Sequence, residues 1–315
     1  MQMVQLGPQG PRVPALGIGT WAWGDSLFWN YGDDYGAPEV EAAFEAAIAA
    51  GITFFDTAEV YGLGKSETLL GQFCQACDRP VQLATKFGPA PWRWSADAVH
   101  EAVTASLKRL QKPSITLYQV HWPFTFFLSQ ETLLNALAAE VKQGRIEAVG
   151  VSNYSTAQMV EAQEILDRQG IPLAVNQVQY SLLHRQIERN GILRHAQQAG
   201  ITILAYSPLA QGLLTGKYTS DRTPSGPRRW DSRFNPDGLA RIAPVLDLLH
   251  RYGDEYGKTP SQVALNWLIA QDGVIPIPGA KNARQAEQNA GALGWRLGDD
   301  AIAQLDQVTR PWLGE

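Results

Sequence analysis

The chain has 315 residues, of which 45% are hydrophobic and 18% charged, enough apolar material for one large core. A net charge of -5 argues against a nucleic-acid partner and fits a soluble cytoplasmic protein. Residues 1–8 lack the basic flank and apolar run of a signal peptide, and no stretch approaches the roughly 18 apolar residues of a membrane span.

In chain order, residues 4–6 and 13–15 flank a Gly-Pro-rich turn and predict a hairpin closing one end of the fold. Residues 16–19 then read as a short strand, followed by a helix over 39–50 that Gly51 ends. Strand 53–55 and helix 66–77 come next, then strand 81–86 and helix 96–110 with Ser95 as its N-cap. Strand 115–121 precedes helix 130–143, and strand 147–151 precedes a helix that begins after Ser155 and ends near Gly170. Strand 174–179, helix 192–198 and strand 201–206 follow. The connection over 209–238 is rich in Pro and Gly and carries Lys217, Arg222, Arg228, Arg229 and Arg233; loops this long are usually lids or binding loops. Helices over 239–256 and 260–271 lead to a last strand, 274–277.

Eight apolar strands separated by helices predict an α/β fold of the (α/β)8 TIM-barrel type, a single domain over 1–315 with a hairpin on its floor and extra helices late in the chain. The competing doubly wound sheet calls for a Gly-x-Gly-x-x-Gly turn after its first strand. The segment Gly17-Ile18-Gly19-Thr20-Trp21-Ala22-Trp23-Gly24 has the wrong spacing and no helix behind it.

Several motifs lose on inspection. Gly62-Leu63-Gly64-Lys65-Ser66 imitates the end of a P-loop, but the earlier glycine that phosphate cradling needs falls on Glu59. The five histidines form no His-x-His or His-x-x-x-His pair, so no metal site is expected. Cys74 and Cys77 close the predicted helix rather than opening one, and two thiols cannot complete a structural zinc site. Buried or incidental thiols are the expectation there. Asn153-Tyr154-Ser155 has the form of a glycosylation acceptor, yet it sits at a strand exit, where site chemistry is the better reading.

Asp56, Tyr61, Lys86 and His121 stand apart, because each lies at or just beyond the exit of a predicted strand, where a barrel carries its chemistry. A free tyrosine, with a pKa near 10, is a poor proton donor at neutral pH. A neighbouring Lys86 ammonium is expected to lower that value, with Asp56 holding the ammonium in place and His121 orienting a carbonyl oxygen.

At this point the chain resembles a known family. The segments Asp56-Thr57-Ala58-Glu59-Val60-Tyr61-Gly62, Thr85-Lys86, Gln119-Val120-His121, Val149-Gly150-Val151-Ser152-Asn153, Tyr206-Ser207-Pro208-Leu209, Leu214-Thr215-Gly216-Lys217 and Ile275-Pro276-Ile277-Pro278-Gly279 look like those of the aldo-keto reductases, in family order and over essentially the whole chain. The resemblance implies a barrel that binds a nicotinamide dinucleotide without a Rossmann domain and reduces aldehydes and ketones. It implies Tyr61 as general acid, tuned by Asp56 and Lys86, with His121 orienting the small carbonyl substrate. Thr20, Trp21 and Asp56 fall at cofactor positions, and Ser152, Asn153 and Gln177 match those that hold the nicotinamide carboxamide. Tyr206 matches the ring that stacks on the nicotinamide, Ser207, Pro208, Leu209, Gly212 and Lys217 the segment along the pyrophosphate, and Arg228 a lid arginine. Gly279, Lys281, Gln285, Gln288 and Asn289 fall in the adenosine segment, where a helix N-terminus beside Lys281 suits a 2′-phosphate and therefore NADPH over NADH. The chain departs from the family pattern with Gln285 where many members carry arginine and Gln288 where many carry glutamate; Arg284 lies alongside.

Within the family, Gly19-Thr20-Trp21-Ala22-Trp23-Gly24, Gly226-Pro227-Arg228 and Gly291-Ala292-Leu293-Gly294-Trp295 are similar to plant pyridoxal reductases, which implies pyridoxal as a candidate substrate. Trp21, Trp23, Trp92 and Trp122 are then expected to form an aromatic mouth for a flat ring. The resemblance also extends to the redox-sensing β subunits of potassium channels, which keep the same four residues and imply a regulatory alternative. A sugar isomerase on the same fold lacks support, since the phosphate pattern after the last two strands comes only with a dinucleotide attached.

Overall fold

The computed structural model describes residues 2–124, 126–219, 222, 224, 228 and 230–314. Gly226, Pro227 and Arg229, singled out above, lie outside the described residues.

Two short strands, β1 (Met3–Gln5) and β2 (Arg12–Pro14), pair antiparallel in the predicted hairpin. Eight parallel strands follow: β3 (Ile18–Gly19), β4 (Phe54–Asp56), β5 (Gln82–Phe87), β6 (Leu117–Val120), β7 (Val149–Ser152), β8 (Leu173–Gln179), β9 (Thr202–Tyr206) and β10 (Val274–Pro276). Each pairs with its neighbour in the chain, so every connection is a crossover over one face of the sheet. The sheet then closes on itself. Gly17 N–H donates to Pro276 O at 3.1 Å and Gly19 N–H to Pro278 O at 3.0 Å, which seams β3 to β10. A Cβ on Gly19 would stand 2.9 Å from Ile277 O, so the seam needs a glycine there.

The helices are α1 (Ser26–Trp29), α2 (Ala37–Ala49), α3 (Lys65–Gln75), α4 (Ala96–Leu110), α5 (Gln130–Lys142), α6 (Thr156–Asp167), α7 (Ile192–Ala199), α8 (Pro236–Tyr256), α9 (Pro260–Ile269), α10 (Ala283–Ala290) and α11 (Asp299–Val308). Reciprocal capping boxes start α6 (Ser155 with Gln158) and α9 (Thr259 with Gln262). Ser95 does precede α4, but its hydroxyl makes no capping bond. The helices α1 and α11 answer to no sequence-based expectation.

Two apolar regions hold the barrel. One lies between the sheet and the helical ring. The other fills the barrel itself, where Leu6 and Val13 of the hairpin join Phe54, Leu117, Val175, Leu204 and Ile275. The hairpin therefore plugs the floor, and polar side chains gather at the opposite rim. On the outside, Cys74 is buried in α3 and Cys77 half-buried, both as free thiols. Burial pushes the Cys74 thiol up to about 11, which leaves it unreactive.

Candidate active site

The strand exits build a polar layer across the mouth. Asp56 at the end of β4, Gln119 in β6 and Gln177 in β8 come from alternate strands, as interior barrel layers do. Both amides donate to Asp56 Oδ1, Gln119 at 3.0 Å and Gln177 at 2.8 Å. Asp56 Oδ2 accepts from Lys86 Nζ at 2.6 Å, and Lys86 also donates to Thr57 O at 2.7 Å. Lys86 is wholly buried, so this pairing is what allows an ammonium there at all. Gln119 was absent from the residues expected at the site; its period-two position facing Asp56 across β5 was the available signal.

Lys86 Nζ reaches Tyr61 OH at 3.5 Å, the long end of a hydrogen bond, and lies 5.1 Å from the centre of the phenol ring. The tyrosine ring meets His121 edge-on, with centroids 5.7 Å apart. The four residues expected together from the sequence are thus brought together. Their proton affinities are set chiefly by burial. It raises the Tyr61 phenol well above the ordinary tyrosine range, and the Asp56 carboxylate adds to that. The sequence-based expectation of a lowered phenol is corrected: the structure favours a phenol that keeps its proton until something takes it. Burial pushes Lys86 below the ordinary lysine value while Asp56 opposes it. His121 is driven down to about 2 by burial and then by Lys86, so it is a neutral imidazole at any physiological pH. Its Nδ1 finds no partner among the described residues.

Asp56, Tyr61 and His121 border a cavity of about 980 Å³ that runs past the exit of β9 to the start of α10. Ser152, Asn153, Gln177 and Tyr206 line its middle. Asn153 has a left-handed backbone, φ 63°, and accepts from Tyr206 OH at 3.1 Å through Oδ1, which fixes the ring. Ser207, Pro208, Leu209 and Gly212 continue the wall, with left-handed φ values at Ser207, Ala210, Gln211 and Gly212. Turns of this kind present backbone N–H groups to anions. At the far end Lys217, Arg222, Arg228, Lys281 and Arg284 all line the cavity. Burial, reinforced by Arg228, depresses Lys281 to about 8. Gln285 accepts the Lys281 N–H at 2.8 Å, Gln288 lines the wall, and Asn289 donates to Gly279 O at 3.2 Å. These cations, crowded on one wall beside a helix N-terminus, form a seat for a polyanion, although Asp34 and Asp25 lie near enough to Lys281 to favour its charge.

Three residues fall elsewhere than expected. Trp23 is fully buried, packs on Phe55 and Phe73, and donates its indole N–H to Ala280 O at 2.7 Å; it is core, not mouth. Trp92 is 71% exposed on the loop after β5 and does not line the cavity. Thr20 is buried too, with its hydroxyl bonded to Asp56 O and Ser66 Oγ, so it braces β4 against the start of α3. The Ser66 of the false P-loop belongs to that brace, accepting from Thr57 as well. Trp21 and Trp122 do line the cavity, the latter stacked on His121 at 3.8 Å, and Trp29 of α1 joins them unforeseen.

A parallel barrel with a tyrosine–lysine pair at its rim and a cationic groove leading away is the architecture of a dinucleotide-using oxidoreductase. The chain belongs to the aldo/keto reductase family, whose model matches residues 15–310. It is 40% identical to a chloroplastic pyridoxal reductase of Arabidopsis thaliana, with 98% of this chain and 86% of that protein covered. It superimposes on a glycerol dehydrogenase of Gluconobacter oxydans with TM-score 0.87 and 28% identity, covering 99% and 96% of the two chains. An aldo-keto reductase of Klebsiella pneumoniae solved in complex with NADPH gives TM-score 0.75 and 30% identity, covering 98% and 95%. No helix among the described residues is long and apolar enough to cross a membrane.

Proposed function

We propose that the protein reduces aldehydes and ketones to alcohols at the expense of NADPH, with Tyr61 as proton donor and pyridoxal a candidate substrate. The observation that carries this reading is Tyr61, Asp56 and His121 on the wall of a cavity whose other end is cationic, with Lys86 buried behind them and bonded to Asp56 and Tyr61. A bound NADPH supplies the hydride. The chain supplies everything around it. Lys217, Arg228, Lys281 and Arg284 match the phosphates in charge, and Asn153 and Gln177 offer amides to the carboxamide. Tyr206 offers a ring face for stacking.

At the reacting carbonyl, neutral His121 orients the oxygen without competing as an acid. Tyr61 gives up its proton as negative charge develops on that oxygen. The phenolate left behind is stabilised by the Lys86 ammonium, itself anchored by Asp56, which offsets the high proton affinity that burial confers. Pyridoxal is supported by the activity for which the Arabidopsis relative is named and by the flat faces of Trp21 and Trp122 at the mouth. The test is NADPH oxidation across an aldehyde panel containing pyridoxal and 4-nitrobenzaldehyde. Turnover is expected, and Tyr61→Phe should lower it by about 10²–10⁴ while the NADPH affinity stays within about twofold. A Tyr61→Phe protein that still turns over at the unmutated rate removes Tyr61 from the mechanism; no turnover on any aldehyde removes the reductase reading.

A further inference from the structure

Trp29 lines the cavity at its cationic end. It ends the four-residue helix α1, far in sequence from the cations it touches. Lys281 Nζ lies 4.6 Å from the Trp29 ring centre and donates to Trp29 O at 3.2 Å. The same ammonium is 4.4 Å from the Tyr35 ring, so two aromatic faces and a carbonyl enclose it. Arg228, from the loop after β9, places its guanidinium 5.2 Å from the same indole and donates to Gln211 O and Tyr218 OH. The indole N–H is buried and finds no acceptor among the described residues, so the side chain is not held there by a hydrogen bond of its own.

Two like charges drawn to one ring repel each other, and the ring's negative face offsets part of that repulsion. We infer that Trp29 is a positioning residue for cofactor selection: it holds Lys281 and Arg228 at the cationic end of the groove so that a ribose 2′-phosphate is met by both. This rests on the NADPH reading above. Lysine and arginine carry long, entropically costly side chains, and an aromatic cage fixes them before the phosphate arrives. A dinucleotide lacking the 2′-phosphate draws on neither to the same degree.

The test measures NADPH, NADH, 2′,5′-ADP and 5′-AMP affinities by titration calorimetry for the unmutated protein, Trp29→Leu and Trp29→Phe. Trp29→Leu should weaken NADPH and 2′,5′-ADP by roughly three- to thirtyfold, the range expected for cation–ring contacts. NADH and 5′-AMP should change less than about twofold, and Trp29→Phe, which keeps a ring face, should recover most of the loss. Equal weakening of NADPH and NADH in Trp29→Leu, or weakening of neither, overturns the inference while leaving the cofactor reading intact. Failure of the unmutated protein to bind either dinucleotide overturns that reading and the inference with it.

Discussion

His121 shows how burial alone can fix a residue's part in the chemistry. Its folded-state pKa lies near 2, against about 6.5 for an unfolded histidine. The unfolded chain therefore binds the proton that the folded one refuses, and stability falls as the pH drops below 6.5. His121→Asn removes this linkage. In urea unfolding at pH 7 and pH 5, the unmutated protein should lose more stability than the variant, by up to roughly 1.4 kcal/mol per pH unit below 6.5. Parallel losses in the two proteins would show that His121 carries a proton in the folded state. The four rim residues were legible because polar groups at the ends of apolar strands stand out in any sequence. The direction of the Tyr61 shift was not. Sequence reveals that a lysine lies near, but not that both groups are buried and that Asp56 stands between the ammonium and a simple Coulomb argument. Trp21 and Trp23 teach the same lesson. Neighbouring tryptophans in one loop point to opposite sides, and only the folded loop decides which meets the cavity.

Elements were easier to read than side chains. The helix α4 was anticipated at both ends, since its apolar spacing and flanking polar residues mark it clearly. The helix α1, with only four residues, is too short for any periodicity to announce it. Between elements, a second ion pair stands beside Asp56–Lys86. Glu59 in the loop after β4 accepts from Gly88 N–H at 2.5 Å and from Arg93, whose second nitrogen reaches the other carboxylate oxygen at 3.0 Å. Arg93 in turn donates to Gly88 O at 2.9 Å. This clamp joins the exits of β4 and β5, two residues from Tyr61 on one side and two from Lys86 on the other. Glu59→Gln should lower kcat by roughly ten- to a hundredfold through misalignment of that pair, with little change in NADPH affinity. A normal kcat alongside a reduced melting temperature would make the clamp a matter of stability alone.

At the scale of the molecule, closure of the barrel depends on the close approach of β3 to β10. Gly19→Ala would press a methyl group against Ile277 O and should cost about 1–3 kcal/mol in urea unfolding. Because Gly19 also borders the cavity, NADPH affinity should fall together with stability; an unchanged midpoint would mean that the backbone yields there without strain.

That seam has a consequence for the order in which the working protein comes into being. Asp56, Tyr61, Lys86 and His121 all lie in the first 121 residues, so a nascent chain emerging from the ribosome has its four rim residues early. The phosphate seat draws on Trp29 near the beginning and on Lys281 and Arg284 near the end, and it exists only when synthesis is nearly done. A dinucleotide bound there rivets the oldest stretch of polypeptide to the newest, and any premature stop before Lys281 leaves the reducing agent with nowhere to sit.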